Sequence, residues 1–121
     1  MKRIWKAQAI LIAFWCACGV TLYLALAPAE PAMAWLGNDK VQHAAAFASL
    51  AVLARLAFPK WPILRGALFL AGFGAGIELL QALPLVHRDA ELADWIADLF
   101  GLAMASLASC CVRWFRTQLA T

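Results

Sequence analysis

From Ala7 to Ala27 the chain carries no charged residue, and that run limits the fold more than any other feature. A helix needs about 20 consecutive apolar residues to cross a hydrocarbon core roughly 30 Å thick, where every backbone N–H and C=O must be satisfied within the segment. Lys2, Arg3 and Lys6 stand in front of it. A basic start before an apolar run also describes a signal peptide, which Ala32-Met33-Ala34 would allow to be cleaved. The run exceeds the roughly 7–15 residues of a signal core, so a retained first membrane helix over residues 7–27 is the expectation.

Composition extends the membrane reading to the rest of the chain. Of the 121 residues, 65% are hydrophobic and 14% charged, whereas about a quarter are charged in soluble domains. Length permits one domain, residues 1–121. The net charge of +3 does not point to nucleic acid, because the basic residues fall at the ends of apolar segments, where membrane topology places them.

Three more helices are expected. The first of these covers residues 40–58, with Asn38 or Asp39 able to cap its free N–H groups and Pro59 ending it. The next, residues 66–83, ends before Pro84 and carries Gly66, Gly72, Gly74 and Gly76, which leave room for close helix contacts or for a second copy of the chain. The last spans residues 94–112. Pro28, Pro31 and Gly37 mark the first loop, Lys60 to Arg65 form a short basic turn, and a polar loop joins the third and fourth helices. The fold class expected is all-α, a polytopic four-transmembrane-helix bundle.

Lys2, Arg3, Lys6, Arg55, Lys60, Arg65, Arg113 and Arg116 fall on one side of that arrangement, against Lys40 and Arg88 on the other. The excess places both termini in the cytoplasm. Trp5, Trp61 and Trp114 then sit at the inner boundary and Trp35 and Trp95 at the outer one, as interfacial belts do. Arg55, one turn from its helix end, reads as a snorkelling anchor. Every acid, from Glu30 and Asp39 through Glu78, Asp89, Glu91, Asp94 and Asp98, belongs to the outer half.

Ionisable groups in a membrane segment cost about 2.5–3.5 kcal/mol each on insertion scales and are usually paired, solvated or functional. Helical spacing groups them. Asp39 and His43 lie four apart, Glu78 and Gln81 three apart, and Asp94, Asp98 and Gly101 four and three apart, so each set shares one face of its helix. Three helices thus aim polar patches inward. Candidate binding residues are Asp39, Lys40, His43, Glu78, Gln81, Arg88, Asp94 and Asp98. The cluster is shallow, with His43 only about 6 Å below Asp39, and no polar chain continues across the bilayer as an ion channel would require.

DKVQHAAAF at residues 39–47, GIELLQ at residues 76–81 and R-x5-D-x3-D-x2-G at residues 88–101 resemble the VanZ-like family of small bacterial membrane proteins. The resemblance covers most of the chain, from the second helix to the start of the fourth. Two positions depart from the family pattern: Phe47 stands where members often carry Tyr, and Asp98 where they often carry Asn. What the resemblance implies is a four-helix protein of the bacterial inner membrane acting at the cell envelope. The family takes its name from a protein associated with resistance to teicoplanin-type lipoglycopeptides, and the resemblance implies no particular reaction.

The residues themselves allow three chemistries. In the first, the site binds the anionic head group of an envelope lipid, a lipid-linked wall precursor or a lipoglycopeptide, with Lys40 and Arg88 contacting phosphate, Arg as a bidentate fork. The carboxylates hold the bases in place and accept from sugar or amine groups. In the second, His43 with Asp39 or Glu78 is the general acid–base pair of a hydrolase or transferase, although no Ser or Cys nucleophile motif lies nearby. The third is an interhelical network that sets register without a ligand. No cofactor is expected; the histidines and carboxylates are able to ligate a divalent metal, but their spacing matches no established metal motif. Cys16, Cys18, Cys110 and Cys111 read as small buried hydrophobes.

Overall fold

The computed structural model describes residues 1–28 and 38–120, and only the backbone of Lys2 and Arg3. Four long helices carry the fold: α1 (Lys2–Leu26), α2 (Asp39–Ala57), α3 (Ile63–Gln81) and α4 (Leu92–Leu119), with a 3-10 turn at Pro84–Val86 between the last two. No strand occurs among the described residues. Glu30, Trp35 and the candidate cleavage site Ala32-Met33-Ala34 lie outside them, and with them the outer-boundary role expected for Trp35.

The helix ends follow local chemistry. Asn38 caps α2, its side-chain oxygen accepting from the Lys40 N–H at 3.0 Å. Helix α3 begins at Ile63 rather than Gly66, since Pro62 supplies the turn into it and its missing N–H costs nothing at a helix start. Helix α4 runs on to Leu119 instead of stopping near Val112. No Gly or Pro follows Gly101 to break it, and at 1.5 Å per residue it reaches about 42 Å, longer than a hydrocarbon core.

Three helical segments, Ile4–Leu26, Ile63–Gln81 and Leu92–Leu119, are long and apolar enough to cross a membrane. Helix α2 is not among them: at 19 residues it has the length, but Asp39, Lys40, Gln42, His43, Ser49 and Arg55 dilute its apolar character. The outer surface fits a lipid solvent. Ile12, Trp15, Val20, Val52, Leu68, Leu79, Ile96, Phe100, Met104 and Leu107 all stand exposed, a coat that a water-soluble helical protein of this size would have to cover.

Inside, Phe14 and Cys18 of α1, Phe47, Leu50 and Ala54 of α2, Leu70 and Ile77 of α3 and Leu102 of α4 form one core. Of the four cysteines only Cys18 is buried; Cys16, Cys110 and Cys111 are exposed, contrary to the expectation of four small core residues. At the α2–α3 turn Phe58 stacks on Trp61 with ring centroids 4.4 Å apart, and Phe14 meets Phe58 edge-on at 5.4 Å. Arg55 donates to the Trp61 carbonyl at 2.7 Å, so it ties this turn together.

The α2–α4 pair is the most extensive helix contact, and a glycine explains it. A Cβ on Gly101 would collide with the Ala44 carbonyl, so only glycine lets the two backbones touch there. On α3, by contrast, Gly66, Gly72 and Gly76 face open space, and only Gly74 makes a close contact. The glycine face expected on the third helix is therefore not where the bundle closes; Gly101 on α4 is.

Candidate functional site

The Gly101–Ala44 contact fixes what lies one turn away. His43 precedes Ala44, and Asp98 lies three residues before Gly101, so the close approach brings the two side chains together. His43 Nδ1 and Asp98 Oδ1 are 2.9 Å apart. The His43 side chain is 11% exposed and that of Asp98 0%. Room for the carboxylate comes from α3, where a Cβ on Gly74 would lie 2.8 Å from Asp98 Oδ2 and 3.2 Å from the Phe47 ring.

Glu78 of α3 completes the group. One donor atom each from His43, Glu78 and Asp98 lies within 4.8 Å of the other two. Both Glu78 oxygens and Asp98 Oδ2 are shielded from solvent and have no hydrogen-bond partner among the described residues. The Glu91 backbone amide faces Glu78 without reaching hydrogen-bond geometry. Acceptors buried without donors are costly, and three helices converge to bury these.

Above this group sits a more exposed rim. Lys40 pairs with Glu91 at 3.0 Å and with Asp94 at 3.4 Å. Asp94 is buried, whereas Asp39 is exposed; together with His43 they form a second set of donors within 4.8 Å. His43 belongs to both sets and joins the rim to the floor.

Two predicted site residues are placed elsewhere in role. Gln81, 2% exposed, turns toward α1 and donates from Nε2 to the Ala25 carbonyl at 2.8 Å, which satisfies an acceptor in the last turn of that helix; its own Oε1 is left without a partner. Arg88 is half-buried and makes no hydrogen bond or ion pair among the described residues. Lys40 is already engaged by two carboxylates. The histidine is partnered by Asp98, whereas the acid–base pairing expected from sequence was with Asp39 or Glu78.

Glu91, Gly74 and Phe47 were not among the candidate residues. Glu91 had a legible signal: it lies three residues before Asp94, hence on the same side of the α4 entry, where one lysine can reach both. The roles of Gly74 and Phe47 depend on which helix faces them, and spacing along one helix does not carry that.

Beside Glu78 a groove opens between α3 and the start of α4. It offers about 380 Å³ and is lined by Ala75, Glu78, Leu79, Ala82, Ala90, Leu92 and Trp95. Its walls are apolar except for Glu78. Trp95 closes one side, its indole donating to the Ala71 carbonyl of α3 at 3.1 Å. His87, in the left-handed region with φ 50°, turns the chain from the Pro84–Val86 turn toward α4.

The chain matches no family model, no curated protein and no solved structure.

Proposed function

We propose that this chain is a VanZ-like protein of the bacterial inner membrane whose polar cluster, on the outer side, receives the head group of an envelope amphiphile. In this reading all four helices span the bilayer, with both termini cytoplasmic. Helix α2 crosses despite its polar residues because His43 is held against Asp98 inside the bundle. The count of basic residues supports the orientation.

The observation that carries the reading is the groove. Apolar walls beside a carboxylate with no partner among the described residues match the two ends of a lipid: acyl or prenyl chain along Leu79, Ala82, Leu92 and Trp95, and head-group amine or hydroxyl donors at Glu78 once its shielded carboxylate turns to the groove. Arg88, free of any ion pair among the described residues, is the base left to meet a phosphate, while Lys40 is held by Glu91 and Asp94. An anionic phospholipid and a lipid-linked wall precursor present that combination; a lipoglycopeptide offers an acyl chain, amine and hydroxyl donors and a carboxylate in place of the phosphate, and would connect the site to antibiotic resistance.

Native mass spectrometry of the detergent-purified protein tests this. Wild type is expected to retain a lipid that Ala82→Trp, which fills the groove from an exposed wall position, loses at unchanged thermal stability. A wild-type protein that carries no lipid, or a variant that keeps the same one, would overturn the reading.

A further inference from the structure

We propose that His43, Glu78 and Asp98 form a three-ligand site for a divalent metal ion of the Zn²⁺ or Mn²⁺ class. One imidazole and two carboxylates come from three different helices, with a donor atom of each inside a 4.8 Å circle. Ligation at about 2.0–2.2 Å needs these atoms to draw in by roughly an ångström, a side-chain movement. The helix backbones are already held by the Gly101–Ala44 contact.

The second observation is what these oxygens lack. Asp98 is fully buried, and neither its Oδ2 nor either Glu78 oxygen has a hydrogen-bond partner among the described residues. Carboxylates are acceptors only, and the nearby lysine is taken at the rim by Glu91 and Asp94. A cation supplies what no side chain among the described residues does. An imidazole beside carboxylates selects a borderline-to-hard metal over a soft one such as Cu(I). The other donor set, Asp39, His43 and Asp94, is the weaker candidate, since Asp39 is exposed and Asp94 is engaged by Lys40.

Ligation through His43 Nδ1 would take the place of its 2.9 Å hydrogen bond to Asp98, and because ligands bind metal deprotonated, the affinity falls as pH is lowered. Both readings draw on Glu78, but metal and lipid are counted separately, so the failure of one is distinguishable from the failure of the other.

The test uses the full chain in detergent, stripped with a chelator and titrated with Zn²⁺ and, separately, Mn²⁺. Bound metal is counted by elemental analysis after desalting, and thermal stability is followed against metal concentration. Expected is one equivalent per chain for at least one of the two ions, with a melting temperature that rises with metal. Glu78→Gln and Asp98→Asn should each weaken binding at least tenfold, whereas Asp39→Asn should leave it unchanged. Should either ligand variant misfold, the melting temperature of its metal-free form will reveal it, and the other decides. Binding of neither ion by wild type, binding that survives both ligand variants, or binding lost in Asp39→Asn alone would overturn the proposal.

Discussion

Replacing Gly101 by alanine adds a single methyl group where α4 touches α2, and the structure sets the size of the effect. The new Cβ would meet the Ala44 carbonyl, carbon and Cα, all backbone atoms that no rotamer change can move. Restoring an ordinary contact near 3.5 Å parts the helices by on the order of 1 Å. His43 and Asp98, now 2.9 Å apart, would then exceed the roughly 3.2 Å limit of a good hydrogen bond. Overpacking costs about 1–3 kcal/mol and the lost charge-assisted bond about 1.5–3, while alanine returns up to about 1 kcal/mol of helix propensity. A net loss of about 2–5 kcal/mol is expected. Reversible denaturation in mixed micelles measures it, with Gly72→Ala and Gly76→Ala as controls whose Cβ atoms meet nothing within 4 Å. Both controls should be neutral or slightly stabilising. If Gly101→Ala is as stable as they are, the α2–α4 contact does not organise the site.

Other positions follow the same physics. Phe47→Tyr adds a hydroxyl to a ring whose outer edge and Asp98 Oδ2 flank the same point beside Gly74; a new donor to that unpartnered oxygen should raise stability by about 1–2 kcal/mol, read as a higher melting temperature. His87→Gly removes the Cβ from a residue at φ 50° and should gain up to about 1 kcal/mol, whereas His87→Val should lose stability in the same denaturation assay. Phe14→Ala empties the fully buried centre of the aromatic cluster that holds α1; because Phe58 and Phe69 each lose one of their ring contacts and a large cavity is left, the same assay should show a cost of about 3–5 kcal/mol.

How much of this was readable from the chain depends on whether one helix or two were needed. The apolar runs, Pro59, Pro84 and the Asn38 cap mark the helices because each acts on its own segment. The far end of α4 escaped, since nothing after Gly101 signals a stop and a helix can outrun a bilayer. Spacing along α4 correctly set Asp94, Asp98 and Gly101 on one buried face. Pairings between helices were another matter. That His43 meets Asp98, that Lys40 bridges Glu91 and Asp94, and that Gln81 reaches back to Ala25 all follow from the α2–α4 register and the α1–α3 contact, and a one-dimensional pattern leaves those free. The glycines show the same limit. Four on α3 suggested its packing face, yet the decisive one was Gly101, identifiable only by the backbone opposite it.

Whether the buried acids serve a ligand or merely lock the helices together turns on Glu78. Its two oxygens are shielded and make no hydrogen bond among the described residues, so without a ligand the buried acceptors cost stability. The measurement that matters most is the denaturation free energy of metal-stripped, delipidated Glu78→Gln against wild type. A ligand site predicts a variant equal to or more stable than wild type, because the amide adds donors beside His43 and Asp98. A clear loss of stability in that ligand-free comparison would mean that Glu78 holds the bundle together, and would contradict the account.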